Sequence, residues 1–240
     1  MPTQAWAWHP TTTVPVPLFS VFSVPSVVHA VVFRDAITMA TQQDQKPLAD
    51  YEVLLCVTGG IACYKAADLC SKLVQRGAGV TVAMTDSAQQ FVGPVTFQSL
   101  SNRPVYSSMW QSIEYYSSQH ISLTELADLM LIVPATANII GKLANGIADD
   151  LVSTMALAAT GSCPILLAPA MNSRMWANPA VEANMQRLVQ WGTHIIGPCE
   201  GNLACRTVGM GRMAEPADIL AKATELLLAK RAKKTVAGGQ

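Results

Sequence analysis

The sequence predicts an α/β domain in which helices cover both faces of a doubly wound parallel sheet. From Tyr51 onward, short apolar runs alternate with amphipathic segments, and no internal repeat interrupts this alternation. The short runs are almost entirely apolar, which is typical of strands that are buried on both faces of a sheet. At 240 residues the chain is long enough to bury such a core.

The predicted elements follow one another as strand and helix. Apolar runs predict strands at 53–57, 80–84, 129–133, 165–168 and 194–196. Helical spacing predicts helices at 61–76, 121–128, 139–143, 150–159, 179–191 and 216–230. Gly77 is expected to end the first helix. These elements place a single domain of the Rossmann or flavodoxin type at residues 51–230, between an N-terminal extension (1–50) and a tail (231–240).

The N-terminal extension differs in composition from the rest of the chain. Residues 1–38 are rich in Pro, Thr, Val and Trp, and Arg34 and Asp35 are their only charged side chains. We expect this segment either to be disordered or to precede the true start of the protein at Met39.

The composition argues against several classes of function. With 16 basic and 16 acidic residues the formal net charge is zero, so we do not expect a nucleic-acid-binding surface. The apolar stretches 14–33 and 151–173 contain prolines, which argues against a membrane span. No basic signal segment precedes them, so the six cysteines, which form no CxxC pair, are expected to be free cytoplasmic thiols without a metal.

The loops after the first two strands are candidates for binding a phosphate. Gly59, Gly60 and Ile61 form a turn from strand to helix, where the backbone can approach a ligand and the helix N-terminus favours an anion. Thr85 and Ser87 follow the second strand and add two hydroxyls. The alternative for this second loop is that Asp86 or Ser87 only caps a helix.

The loops after the third and fourth strands suit a flat ring and a polar substrate. Thr136, Ala137 and Asn138 are small or amide-bearing, although they could equally cap the helix that follows. In the loop at 169–176, Asn172 stands between apolar residues at the edge where parallel sheets bind ligands. Core packing could account for Met175 in this loop, but hardly for Asn172.

Two further residues stand out, each with an ordinary alternative. Cys205 is a lone thiol in the glycine-punctuated stretch 203–213, which suits a flap over a site but could also be an irregular surface loop. His120 opens a helical segment, and a single histidine of this kind is more often structural than catalytic.

Four blocks, taken together, resemble the homo-oligomeric flavin-containing cysteine decarboxylases. The resemblance extends from Tyr51 to about Leu227. The blocks are TGGIACYK at 58–65, His120 with 134–138 and 149–151, PAMNSRMW at 169–176, and LACRTVGMGRM at 203–213. The third block is highly specific, and the fourth separates this branch from the peptidyl-cysteine decarboxylases.

The resemblance implies a bound FMN and a role for each candidate residue. It places Gly59, Gly60, Ile61, Thr85 and Ser87 at the phosphate and ribityl side, and Thr136, Ala137, Asn138 and Ala170 near the isoalloxazine. It makes His120 the base, Cys205 the proton donor, and Asn172, Met175 and Ala204 substrate-binding residues.

The implied reaction converts 4′-phosphopantothenoylcysteine to 4′-phosphopantetheine in coenzyme A biosynthesis, by thiol oxidation, CO2 loss and reduction of the enethiol. The family forms homotrimers or trimer-based dodecamers. The high hydrophobic content of the chain, 50% of its residues, is compatible with such interfaces.

Three departures from the family pattern qualify the resemblance. Arg206 replaces the usual glycine after the cysteine, which puts the flap conformation and the reductive step in doubt. Ile139 replaces a common threonine. We also expect the chain to act as the decarboxylase alone, with the synthetase activity that many relatives carry in a fused domain supplied elsewhere. The alternatives are a peptidyl-cysteine decarboxylase, a flavin prenyltransferase, a non-catalytic flavin-binding regulatory protein, or a structural α/β protein whose loops only cap helices.

Overall fold

The computed structural model describes residues 46–110 and 119–237, with the side chains of residues 46–110 and 121–230. Residues 1–45 of the expected extension and residues 238–240 of the expected tail lie outside this part of the chain. The predicted disorder or alternative start of the extension therefore stays a prediction.

The described chain contains a six-stranded sheet, a separate hairpin and flanking helices. The sheet strands are β1 (Glu52–Val57), β2 (Gly79–Met84), β3 (Val105–Tyr106), β4 (Leu129–Ala135), β5 (Ile165–Pro169) and β6 (His194–Ile195). The hairpin strands are β7 (Cys199–Asn202) and β8 (Val208–Arg212). The helices are α1 (Cys63–Gln75), α2 (Asp86–Gln89), α3 (Pro94–Ser101), α4 (Gln119–Leu126), α5 (Ala137–Ala144), α6 (Leu151–Ala159), α7 (Ser173–Trp176), α8 (Pro179–Gln190) and α9 (Pro216–Ala237).

The sheet has the strand order β3-β2-β1-β4-β5-β6, and every neighbouring pair is parallel. The chain starts in the middle at β1, winds outward to β3, and then crosses back to β4 on the other side of β1. This confirms the doubly wound fold. In such sheets the crevice outside the carboxyl ends of the two strands at the reversal, here β1 and β4, is the usual place for a ligand.

Both faces of the sheet are covered by helices, which explains why its central strands are almost entirely apolar. Successive side chains of β1 alternate between the faces, with Leu55 in one core and Leu54 and Cys56 in the other. Helices α1, α3 and α9 contribute to the first core, and α5, α6 and α8 to the second. The two cores together fix the plane of the sheet and hence the edge at which its loops meet.

Helix α1 ends where its glycine predicts. The N–H of Gly77 donates to Val74, and the N–H of Ala78 donates to Leu73, with Gly77 at a φ of 95°. This is the glycine-terminated C-cap in which the last carbonyls of a helix are satisfied locally.

The structure adds elements that the sequence pattern misses. Strand β3 is only two residues long and half-buried, so it has no apolar run to reveal it. The stretch at 203–213, which we interpreted as a flap or an irregular surface loop, forms the turn and the second strand of the β7–β8 hairpin. Helix α9 continues to Ala237, beyond the end predicted at residue 230.

None of the helices within residues 46–110 and 119–237 is both long enough and apolar enough to cross a membrane.

Candidate functional site

A cavity of about 1060 Å³ opens at the carboxyl ends of β1, β2, β4 and β5. The loops that follow these four strands form most of its wall, and the β7–β8 hairpin supplies the rest. It therefore lies across the reversal in strand order, where the fold leads us to expect a ligand. Its volume is at the upper end of small-molecule sites, which leaves room for a cofactor and a substrate together.

The loop after β1 packs directly against the loop after β2. A side chain at Gly59 would lie 2.9 Å from the Ser87 carbonyl carbon and would collide with Ser87 Cβ. Gly60 faces more open space, since its nearest neighbour would be Thr136 Cγ2 at 3.7 Å. The glycine at position 59 is therefore required for the two loops to meet at the cavity wall.

The cap of α2 differs from both residues that we considered. The N-cap is Thr85, whose Oγ1 accepts a hydrogen bond from the Ala88 N–H at 3.3 Å. Asp86 and Ser87 lie inside the first turn of the helix and are exposed. The Ser87 side chain is therefore not used for capping and remains in the cavity wall.

A buried threonine joins the loop after β1 to the loop after β4. Thr58 Oγ1 donates to the Pro134 carbonyl at 2.6 Å and lies 3.4 Å from Thr136 Oγ1. Thr136 in turn caps α5 by accepting from the Ile139 N–H at 3.4 Å. The hydroxyls of Thr58 and Thr136 thus fix the relative positions of the two loops. Ile139 itself is buried in the second core, and Asn138 is left exposed at the cavity.

Asn172 connects the loop after β5 to the tip of the hairpin. Its Oδ1 accepts from the Arg174 N–H at 2.8 Å, which caps α7, and its Nδ2 donates to Cys205 Sγ at 3.2 Å. The side chain is half-buried rather than fully buried. Met175, one turn further along, is exposed in the same cavity wall.

The base of the hairpin is fixed to the same loop by backbone contacts. The Met171 N–H donates to the Gly211 carbonyl at 3.0 Å. A side chain at Gly211 would collide with the Met171 carbonyl oxygen, and the φ of 135° at Gly211 also favours glycine. The hairpin therefore contacts the 171–174 loop both at its base and at its tip, and this holds Cys205 at the cavity.

The environment of Cys205 favours its thiolate. The Thr207 hydroxyl, 3.1 Å from Cys205 Sγ, is the main cause of a pKa below the usual thiol range, and Asn172 adds to it. Burial has the opposite effect on Cys56, where desolvation raises the thiol pKa far above that range. Among the cysteines of the described residues, only Cys205 is exposed. It is therefore the thiol that is placed for chemistry.

Arg206 adopts the left-handed backbone conformation that glycine would otherwise provide. Its φ is 63°, its N–H donates to the Leu203 carbonyl at 2.9 Å, and the Leu203 N–H donates to the Thr207 carbonyl at 2.8 Å. This is a three-residue hairpin loop with a left-handed third residue, a position where glycine is usual. The arginine therefore occupies a backbone conformation that glycine would adopt with less strain.

Replacing Arg206 with glycine is expected to relax the tip. The left-handed conformation costs an L-residue roughly 1–2 kcal/mol, partly offset by the greater freedom of glycine in the unfolded chain. We expect equal or slightly higher stability for Arg206→Gly, and a loss of about 1 kcal/mol or more for the β-branched control Arg206→Val. Hydrogen exchange of the Leu203 amide measures the local stability of the hairpin tip, because this N–H donates to the Thr207 carbonyl. Faster exchange in Arg206→Gly than in Arg206→Val would contradict the proposed strain at Arg206.

The structure brings nearly all of the candidate residues into one cavity. Those that line it are Gly59, Gly60, Ile61, Thr85, Ser87, Thr136, Ala137, Asn138, Ala170, Asn172, Met175, Ala204 and Cys205. The backbone of His120 lies in the first turn of α4, but its side chain is outside the described part of the structure. Its role as a base therefore stays a prediction.

Three basic residues of the wall were missed by the sequence reasoning. Lys65, Lys142 and Arg212 all line the cavity. Lys65 lies one helical turn after Ile61, so helix periodicity could have placed it beside the first loop. For Arg212 no comparable signal existed, because its position depends on how the hairpin folds back over the sheet.

The donor set of the cavity fits a flavin mononucleotide. The Gly59–Gly60 turn at the start of α1 exposes backbone, and a side chain at position 59 would fill the place where Ser87 approaches. Backbone N–H groups and hydroxyls at a helix N-terminus are the usual partners of a phosphate. Across the cavity, Ala137 and Ala170 leave the space that a planar ring system requires.

Comparison with known proteins finds close relatives over the described domain. The chain is 53% identical over 173 residues to the coenzyme A biosynthesis bifunctional protein CoaBC of Bacillus subtilis, a match that covers 72% of this chain and 42% of that protein. It is 43% identical over 176 residues to a probable phosphopantothenoylcysteine decarboxylase of Streptococcus mutans, which covers 73% and 98%, respectively. The chain thus spans less than half the length of the bifunctional relative and nearly all of the shorter one.

Solved structures are similar at the level of the whole fold. A mutant PPC decarboxylase complexed with pantothenoylaminoethenethiol matches with a TM-score of 0.66 and 31% identity, over 72% of this chain and 96% of that one. The FMN binding protein AtHal3 matches with a TM-score of 0.63 and 32% identity, over 72% and 94%. The sequence profile of the family described as Flavoprotein matches residues 41–228, and the chain therefore belongs to the flavoprotein family.

Proposed function

We propose that this chain is an FMN-dependent decarboxylase that converts 4′-phosphopantothenoylcysteine to 4′-phosphopantetheine. The observation that carries the proposal is the contact of Asn172 Nδ2 with Cys205 Sγ at 3.2 Å. This contact lies in a cavity that is also lined by the loop at 59–61, the candidate phosphate-binding loop. A structural α/β protein has no need for an exposed thiol whose pKa is lowered by a neighbouring hydroxyl and amide at this edge. The relatives that carry decarboxylase names support the same choice.

FMN would be held by residues from four loops. Gly59, Gly60 and Ile61, with the hydroxyls of Thr85 and Ser87, would surround its phosphate and ribityl chain. Its isoalloxazine ring system would lie against Thr136, Ala137, Asn138 and Ala170. When bound, FMN supplies the two-electron acceptor for thiol oxidation and the donor for the later reduction.

The side chains of the protein would bind the substrate and move its protons. His120 would accept the substrate thiol proton, because an imidazole titrates near neutral pH. Asn172 would orient the cysteine carboxylate through its amide, with Met175 and Ala204 as apolar contacts. Cys205 would donate the proton that completes the saturated product.

Homotrimers are part of the proposal. Ile61 and Tyr64 are each 60% exposed at the cavity. Large exposed apolar side chains beside a site commonly mark a protein interface. This exposure supports an assembly in which a second subunit covers part of the cavity.

The decisive experiment is the assay of the flavin-loaded protein with 4′-phosphopantothenoylcysteine. We expect CO2 release and a product with the mass of 4′-phosphopantetheine, and we expect His120→Asn to release no CO2. A peptide with a C-terminal cysteine, supplied in place of this substrate, tests the related peptidyl activity. The proposal is wrong if the protein binds no FMN, or if FMN-loaded protein acts on the peptide alone.

A further inference from the structure

One part of the cavity wall, between α1 and the hairpin, carries two cations around a single carboxylate. Lys65 Nζ lies 2.9 and 3.0 Å from the two carboxylate oxygens of Glu215, and Arg212 Nη1 lies 3.0 Å from one of them. Lys65 and Arg212 line the cavity, whereas Glu215 does not. The two cations therefore face the cavity with their shared counter-ion behind them.

The charge balance here differs from that at the other basic residue of the wall. Lys142 lies 2.7 Å from an Asp149 oxygen and 2.6 Å from an Asp150 oxygen, so two carboxylates surround one cation. At Lys65 and Arg212, by contrast, two cations share the single carboxylate of Glu215. Among the described residues of the wall, this cluster therefore has an excess of positive charge that an anion can use.

The two cations are held in place before any ligand arrives. The Lys65 side chain is 14% exposed and pairs with both Glu215 oxygens. The Arg212 side chain crosses Gly201, where an added Cβ would lie 2.6 Å from Arg212 Nε. That Nε is buried and has no hydrogen-bond partner among the described residues. Such pre-organisation lowers the entropic cost of binding an oxyanion.

We propose that Lys65 and Arg212 form an oxyanion subsite for the substrate, separate from the candidate phosphate-binding loop at 59–61. The inference rests on the proposed function, since 4′-phosphopantothenoylcysteine carries two anionic groups, a carboxylate and a terminal phosphate. Both are oxyanions that a lysine and an arginine bind by charge-assisted hydrogen bonds. Because the chain has no net charge, such local cations have to attract the substrate.

The test compares two substrates that differ only in the phosphate. The kcat/KM of FMN-loaded protein is measured with 4′-phosphopantothenoylcysteine and with pantothenoylcysteine, for the wild type, Lys65→Gln, Arg212→Gln and Arg212→Lys. Lys72→Gln, which removes a pair with Asp68 on the exposed face of the same helix, is the matched control. Loss of a charged hydrogen bond is expected to lower kcat/KM by about 10- to 100-fold in each Gln variant. Arg212→Lys should recover part of this loss, and Lys72→Gln should behave as the wild type.

The pattern of the loss identifies the group that is bound. If the phosphate occupies the subsite, only the phosphorylated substrate loses kcat/KM and the preference for it disappears. If the carboxylate occupies the subsite, kcat/KM falls by the same factor for both substrates. The Kd of the carboxylate-free analogue pantothenoylaminoethenethiol then stays unchanged.

Three results would overturn the subsite. They are unchanged kcat/KM in both Gln variants, equal weakening of the two substrates and the carboxylate-free analogue, and a loss explained by weaker FMN binding. A wild-type protein that acts on neither substrate contradicts the proposed function instead. In that case, titration with inorganic phosphate still tests the subsite. An equal Kd for phosphate in the wild type and in the variant that carries both Lys65→Gln and Arg212→Gln overturns it.

Discussion

Replacing Cys205 with serine is expected to leave CO2 release in a single turnover near the wild-type rate and to slow the reduction of the enethiol, which then accumulates. Because the two electrons stay on the flavin, further CO2 release by this variant needs an added oxidant such as O2. The thiol is 3.2 Å from the Asn172 amide nitrogen and 3.1 Å from the Thr207 hydroxyl, so it is held in the wall of the cavity where we propose that the substrate binds. Serine fits the same space but is a much weaker acid. Because a positioned general acid contributes about 10²–10⁴-fold, we expect reduction to slow by that factor. Mass spectrometry of the product, alongside CO2 measurement, separates the two half-reactions.

The pH profile of the reductive step gives an independent check on Cys205. A proton donor works only while it is protonated, so the rate should fall as pH rises through the thiol pKa. Since the Thr207 hydroxyl is the main cause that lowers this pKa, the fall should begin below the usual thiol range. The control Thr207→Val should move the fall to higher pH. Formation of 4′-phosphopantetheine by Cys205→Ser at the wild-type rate would refute the assignment.

Replacing Gly59 with alanine is expected to weaken FMN binding strongly. The added methyl group would lie 2.9 Å from the Ser87 carbonyl carbon and 3.0 Å from its oxygen, where a backbone atom cannot yield as a flexible side chain can. Overpacking of this kind costs about 1–3 kcal/mol, which corresponds to a rise of about 10- to 100-fold in Kd if it separates the two loops. Fluorescence titration of the apoprotein with FMN measures the change.

Gly60→Ala is the matched comparison for the stability of the apoprotein. Its methyl group would meet only Thr136 Cγ2, at the ordinary contact distance of 3.7 Å. We therefore expect urea denaturation to show a loss of stability in Gly59→Ala and little change in Gly60→Ala. Equal stability and equal FMN affinity of Gly59→Ala and the wild type would contradict the packing of the two loops.

The sequence predicts the fold well because the sheet is built from the strongest signals that a sequence contains. The central strands β1, β2, β4 and β5 are buried on both faces and read as apolar runs. The hairpin has no such signal. Its strands, CEGN and VGMGR, contain three of the chain's glycines and few strand-forming residues. They pair because the loop at Met171 and the turn at Arg206 hold them in place. The first is a tertiary contact and the second a backbone conformation, and neither produces a pattern of apolar residues in the sequence.

The candidate site shows the same division. Loops that follow predicted strands could be assigned to one edge of the sheet, so Gly59, Thr136 and Asn172 could be grouped from the sequence. The identity of the cap of α2 could not, because Thr85, Asp86 and Ser87 are all good capping residues and only the backbone angles choose between them. Arg212 was missed for a related reason, since its place in the wall depends on the fold of the hairpin.

The two hydrogen bonds of Asn172 limit what this residue can offer to a ligand. A carboxamide has two N–H donors on its nitrogen and two lone pairs on its oxygen. One lone pair accepts from Arg174 N–H and one donor serves Cys205, which leaves one of each. Half of the hydrogen-bonding capacity of the side chain is thus committed to the protein itself. An aspartate at this position would keep the helix cap but could not donate to sulfur, so asparagine alone of the two satisfies both neighbours.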